Sequence, residues 1–234
     1  MTMLSLENIS AGYGKSQILH SLSLNVADGE SVALLGRNGV GKTTTLRTIM
    51  GLTAISQGAI ILDGERLDQL NAYNIPRRGI GYVPQGRRIF PKLTVYENLC
   101  IGLASNPKDG ELDWIFQRFP RLKERTNQAG GTLSGGEQQM LAIARCLVMK
   151  PRILILDEPT EGIMPKLVAD IREEIKSIND SGVSILLVEQ NVRTAISVCS
   201  RIYIMEKGRI CVEQKSSELR SNAEIVHRYL GVSL

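Results

Sequence analysis

Apolar positions along the chain fall into short runs whose spacing changes several times. Leu4, Leu6 and Ile9 alternate with polar residues, which predicts an edge strand at the start. From Ile18 to Val26 a second strand is predicted, with Leu22, Leu24 and Val26 on one face and the turn Ala27-Asp28-Gly29 behind it. Val32-Ala33-Leu34-Leu35 then runs apolar without alternation, as in a strand covered on both faces. A glycine-rich loop follows, and then a helix from about Lys42 to Met50. Gly58 to Gly64 reads as a strand and a tight turn, and Ile80-Gly81-Tyr82-Val83 as a strand stopped by Pro84.

Between about Gly86 and Gly131 the pattern turns helical and more charged, with no β-branched run. Thr94 and Glu97 have capping-box spacing there. This stretch is expected to be a helical subdomain inserted into an α/β core. Core signals then return. Met140, Ala144, Leu147 and Val148 share a helix face, and Ile153-Leu154-Ile155-Leu156 is a buried strand. A helix is expected over Pro165–Asn179, a strand over Val183–Val188, and a hairpin from Ile202–Met205 and Ile210–Val212 around Glu206-Lys207-Gly208. A short helix ends near Tyr229. Strand–helix alternation of this kind predicts an α/β fold with a mostly parallel sheet and helices on both faces.

Composition changes this picture little. The 234 residues suffice for a large core without disulfides or metals, and 43% hydrophobic with 22% charged residues is ordinary globular usage. A net charge of +4 without a basic run gives no support to nucleic-acid binding. Cys100, Cys146, Cys199 and Cys211 lie too far apart for a CxxC zinc or redox motif, so reduced thiols are expected. No apolar run approaches the roughly 18 residues of a membrane span, and the N-terminus does not read as a signal peptide. A membrane role would therefore come through partners.

Three segments carry chemistry. Gly36-Arg37-Asn38-Gly39-Val40-Gly41-Lys42-Thr43 fits GxxxxGK[ST] between a buried strand and a helix. Its glycines let backbone amides converge on phosphate oxygens, and the helix start adds its dipole. Lys42 would neutralise the β- and γ-phosphates, and the Thr43 hydroxyl would ligate Mg²⁺, with Thr44 next on the helix. Asp157-Glu158 ends the buried strand, where open α/β sheets bind ligands. Asp157 is placed to hold Mg²⁺, and Glu158 to act as general base on water. Leu133-Ser134-Gly135-Gly136-Glu137-Gln138 opens another helix. Ser134 and Glu137 make a capping box, but the paired glycines also offer a second anion site. Two such helix starts in one chain suggest a dimer that clamps each nucleotide between loops of different subunits.

With these motifs the sequence resembles the ATP-binding subunit of ABC transporters over essentially its whole length, LSGGE being the specific signal. The resemblance implies a P-loop ATPase core with an N-terminal antiparallel β-subdomain, all within one domain over residues 1–234. It implies ATP and Mg²⁺ as ligands and a head-to-tail dimer. Ser134 and Gly136, with Gly135 between them, would face the γ-phosphate held by the partner's loop. Tyr13 stands where the family stacks an aromatic ring on adenine. Gln85 stands where the family senses Mg²⁺ and the attacking water and begins the lever to the membrane subunits. Arg87 and Arg88 are either part of that docking surface or a solvated basic pair.

Two positions depart from the general family pattern. Gln190, in Val188-Glu189-Gln190-Asn191, replaces the histidine that contacts the γ-phosphate. Its amide can hydrogen-bond phosphate but carries no titrating proton. Met164 or Pro165 stands where the family has an aspartate in the loop after the acidic pair. Both departures resemble importers for branched-chain amino acids and urea. The stretches Leu35–Gly41, Pro84–Pro91 and Pro159–Ile163 look closer to the urea branch. Such a resemblance implies an ATP-hydrolysing peripheral subunit on the cytoplasmic face of the membrane that powers import, with urea as the expected solute and branched-chain amino acids, or a soluble non-transport ABC ATPase, as the alternatives. That subunit would work with transmembrane permease subunits and a second ATP-binding subunit, identical or different, and indirectly with a solute-binding protein.

Overall fold

The computed structural model describes residues 2–103, 107–108 and 110–231. Two strands, β1 (Thr2–Tyr13) and β2 (Ser16–Ala27), lead to β3 (Ser31–Leu35), the phosphate-type loop and α1 (Lys42–Ile49). β4 (Ile55–Leu62), β5 (Glu65–Arg66) and β6 (Ile80–Val83) follow. Next come α2 (Val95–Cys100), α3 (Asp113–Arg118), α4 (Pro120–Glu124) and α5 (Gly135–Leu147). The last part runs β7 (Ile153–Asp157), α6 (Pro165–Asp180), β8 (Ser184–Glu189), α7 (Val192–Val198), β9 (Arg201–Glu206), β10 (Arg209–Lys215), α8 (Ser216–Arg220) and α9 (Ala223–Leu230).

These strands form two sheets. One is antiparallel with order β2-β1-β4-β5, and the other has order β10-β9-β3-β8-β7-β6. In the second, only the β9–β10 hairpin is antiparallel; the other four pairings are parallel. The first strand is thus not at an edge. It lies between β2 and β4, pairing Leu4 with both Val26 and Leu62. Its alternation reflects a sheet with one face buried, which an interior antiparallel strand shows as well as an edge one.

The unbroken apolar runs have a direct cause. Along β3, Val32 and Leu34 enter a core shared with the antiparallel sheet and α1, while Ala33 and Leu35 enter a second core shared with α5, α6 and α7. Ile153 and Ile155 of β7 face the first core and Leu154 and Leu156 the second, and β8 divides its residues the same way. With period two and both faces covered, every position must be apolar. Capping boxes at Thr94–Glu97 and Ser134–Glu137 start α2 and α5 as their spacing predicts. Among the described residues no helix is long and apolar enough to cross a membrane.

The two sheets are pinned together by Arg201. Its guanidinium holds Glu30 through two bonds of 2.8 and 2.7 Å, and donates to the Asn25 carbonyl and to Glu213. Burial works against ionisation of Glu30, but the Arg201 bonds and the Ala27 amide outweigh it and hold the carboxyl below its ordinary range. Arg201→Met should leave Glu30 without its cation and cost about 2–3 kcal/mol, read by urea unfolding. A lowered carboxyl pKa contributes stability above the unfolded value and loses it as pH falls through the folded one. The difference between wild type and variant should therefore be complete at neutral pH and shrink below the ordinary glutamate range.

Candidate functional site

The carboxyl ends of β3, β6, β7 and β8 lie side by side, and each releases one piece of the site. From β3 comes the loop 36–41. Its first glycine is required by packing, because a Cβ at Gly36 would sit 2.7 Å from the Met205 carbonyl of β9. Gly41 has φ 113°, in the left-handed region, and ends the loop where α1 begins. Lys42 opens that helix and is 4% exposed. Its ammonium donates to the carbonyls of Gly36 (2.8 Å) and Arg37 (3.1 Å) and lies 3.2 Å from Glu158 Oε1.

Glu158 is the point of convergence. It follows β7 in a left-handed conformation, φ 49°, with its amide on the Val188 carbonyl at 2.9 Å. Gln85, two residues beyond β6, donates to Glu158 Oε2 at 3.2 Å and to Glu161 at 2.7 Å. Gln190, one residue beyond β8, donates to both Glu158 oxygens at 3.0 and 3.1 Å and also to Asn38 of the phosphate-type loop. An ammonium and two amides from three separate strand ends thus surround one carboxylate that is 8% exposed.

Its neighbour Asp157 is treated in the opposite way. It is 2% exposed, and neither carboxylate oxygen has a hydrogen-bond partner. Burial pushes its pKa up to about 6; the Thr43 hydroxyl works against this, the Glu158 charge adds to it, and Lys42 and Tyr82 lower it. An unpaired buried carboxylate is costly and fits a cation held close by. Among the described residues no three His, Cys, Asp or Glu side chains cluster as a metal cage.

Beside this cluster lies a cleft of about 290 Å³ lined by Tyr13, Asn38, Gly39, Gly41, Lys42, Thr43, Thr44, Gln85 and Glu158. Tyr13 is half-exposed at its mouth, and its hydroxyl reaches the Thr44 hydroxyl at 3.5 Å. Arg37 and Val40 complete the loop. Ser134, Gly135 and Gly136 line neither this cleft nor the adjoining one around Gln190. Ser134 is occupied in its cap, accepting the Glu137 amide and donating its own amide back to Glu137. Within one chain the two glycine loops line no common cleft.

Sequence reasoning leaves Arg87 open between two readings and misses two other participants. Arg87 donates to Gln138 (3.3 Å) and to the Gly162 carbonyl (3.4 Å) with its guanidinium packed over Gly135, so it is no freely solvated cation. Glu161 shares Gln85 with Glu158. Glu189 joins the Thr160 loop to the Gln190 loop. The one local signal is a carboxylate, Glu189, ending a run that is otherwise apolar from Ile185 onward.

A family model described as ABC transporter matches residues 19–161, a span that holds the phosphate-type loop, Gln85, the LSGGE segment and the acidic pair. The chain belongs to the ABC transporter family. A high-affinity branched-chain amino acid transport ATP-binding protein of Pseudomonas aeruginosa is 44% identical to it, over 98% of this chain and all of the relative. A lipopolysaccharide export system ATP-binding protein of Haemophilus influenzae is 37% identical, over 99% of this chain and 98% of the relative. A solved ATP-binding cassette, dimeric in a post-hydrolysis state with ADP and Pi, is 27% identical. It aligns with TM-score 0.80 over 92% of this chain and 99% of that one. The fold is that of these ATP-binding cassettes, and the chain is an ABC ATPase.

The unpaired state of Asp157 gives a direct test on the nucleotide-free protein. Asp157→Asn removes a buried charge whose desolvation its surroundings offset only in part, and should raise the thermal unfolding midpoint by several degrees. A lower midpoint would mean that the carboxylate is paired in solution.

Proposed function

We propose that the chain is the ATP-hydrolysing subunit of a membrane importer for branched-chain amino acids, working as one ATPase domain over residues 1–234 with a helical subdomain at about 86–131. The observation that carries the hydrolytic part is the convergence of Lys42, Gln85 and Gln190 on Glu158, beside the unpaired Asp157. The solute is supported by similarity to the Pseudomonas aeruginosa branched-chain amino acid subunit along the full chain.

In this reading ATP enters the cleft beside Tyr13, whose half-exposed ring stacks on the adenine. Lys42 leaves its two carbonyl partners for the β- and γ-phosphates, and the amides of loop 36–41 enclose the phosphate oxygens. Thr43, Asp157 and Gln85 would hold Mg²⁺, which would neutralise phosphate charge when bound. Glu158, freed from Lys42, accepts a proton from the water that attacks the γ-phosphorus. Gln85 and Gln190 orient that water and the γ-phosphate. The second anion site, Ser134-Gly135-Gly136, serves the nucleotide of a second ATP-binding subunit, since it stands outside this chain's own cleft.

Coupling to the permease has a structural route. The loop after Gln85 runs through Arg87, which is tied to α5, and Arg88, whose carbonyl accepts from Arg145 at 2.9 Å. Phe90 lies beneath the Arg145 guanidinium, 5.4 Å from it, and is 45% exposed. An exposed aromatic beside paired arginines suits a transmembrane partner's cytoplasmic segment. Closure of the dimer would move this face and so drive transport. The location would be the cytoplasmic face of the membrane, with a solute-binding protein engaged only through the permease.

Urea is the second reading, favoured by the three short stretches that resemble that branch. Uptake of labelled leucine and labelled urea, in cells carrying wild type or Lys42→Ala, separates the readings. Loss of leucine uptake in the variant, by tenfold or more, is the expected result. Loss of urea uptake alone would move the solute to the second reading. Unchanged uptake of both would contradict the importer assignment.

A further inference from the structure

Glu189 ends β8, one residue ahead of Gln190, and is 3% exposed. A carboxylate so deeply placed must be matched by donors. Four donors meet it, and they divide evenly between its oxygens. Oε1 accepts from the Thr160 hydroxyl at 2.7 Å and the Thr160 amide at 3.3 Å. Oε2 accepts from the amides of Gln190 at 3.2 Å and Asn191 at 3.3 Å. One oxygen therefore serves the loop that follows Asp157 and Glu158. The other serves the loop that carries Gln190.

A purely local purpose does not account for this arrangement. The start of α7 already has its own cap, because the Asn191 side chain accepts the Thr194 amide at 3.0 Å. Nor would a shorter or neutral side chain replace Glu189. An amide offers one acceptor oxygen, and whichever way it is turned its NH₂ faces a backbone N–H donor, that of Thr160 or those of Gln190 and Asn191. A carboxylate accepts from all four donors at once. What it holds is functional: the Gln190 side chain, next in sequence, donates to both oxygens of Glu158. Glu189, Thr160, Gln190 and Glu158 also line one cleft of about 270 Å³.

We propose that Glu189 is a positioning residue for ATP hydrolysis, fastening the Thr160 loop to the Gln190 loop so that the Gln190 amide stays in register with Glu158. The proposal rests on the reading of Gln190 and Glu158 as hydrolytic residues. The Gln190 amide makes no permanent charge–charge contact that would hold it in place, so its orientation depends on its backbone, and Glu189 fixes that backbone.

A double-mutant cycle in the assembled transporter tests this, using kcat and KM for ATP. Glu189→Gln should lower kcat on the order of tenfold with KM within about twofold. In a Gln190→Ala background the same change should lower kcat by less than about twofold, because the group that it positions is gone. A structural defect would instead act equally in both backgrounds. Losses that multiply, or an unchanged kcat in the single variant, would overturn the proposal. If Gln190→Ala alone leaves turnover intact, the reading of Gln190 itself fails, and the positioning route through it fails with it. Should Glu189→Gln not fold, Thr160→Val removes one donor from the same carboxylate. It should lower kcat about threefold in the wild-type background and not in Gln190→Ala; an equal loss in both would again overturn the proposal.

Discussion

Strand β7 carries two adjacent carboxylates out of an apolar core, and a charge in that position must be met by donors or by a cation. Glu158 is met by protein: an ammonium and two amides that arrive from three other strand ends. Asp157 has no hydrogen-bond partner among the described residues, and only the nearby Thr43 and Tyr82 hydroxyls and the Lys42 charge offset its burial. This asymmetry organises the site. It requires β3, β6 and β8 to end beside β7, which the parallel order β3-β8-β7-β6 supplies. It leaves one carboxylate ready for a cation and the other held in reserve by groups that phosphate would recruit.

The same parallel sheet explains why so much is legible in the chain. A strand covered on both faces must be apolar throughout, so β3, β7 and β8 stand out, and the residues just after them are the ones to inspect. Asp157 and Glu158 are found in that way, Lys42 by the GxxxxGK[ST] spacing after β3, and Gln190 through the resemblance to the ABC transporter family. The capping boxes of α2 and α5 are equally local, since each needs only residues three apart. β1 is misplaced by its pattern because alternation reports a half-buried face and says nothing about how many neighbours a strand has. The contacts of Arg87, and Glu161 and Glu189 altogether, escape for a related reason. Their partners are Gln138, Gly162, Gln85 and Thr160, brought near by the order of strands and not by sequence.

Gln190 in place of histidine becomes intelligible in this setting. The amide is a donor to Glu158 at every pH and needs no proton to serve as one. Its weakness is orientation, since a neutral amide has no charge to anchor it. The buried Glu189 beneath it supplies that anchor. The LSGGE segment belongs to a different level of organisation. Ser134 is engaged in its own cap, and the two glycines lie outside the chain's own cleft. The two glycine loops of one chain line no common cleft, which agrees with the proposed clamping of each nucleotide between two subunits.

The account stands on Glu158 as the group that takes the proton from water, with the other residues serving it. Single-turnover ATP cleavage by Glu158→Gln, in the transporter complex with Mg²⁺ present, tests this most directly. Nucleotide should still bind with an affinity close to that of wild type, because Lys42 and the loop amides are intact, while cleavage falls by about 10²-fold or more. Cleavage at the wild-type rate would contradict the assignment.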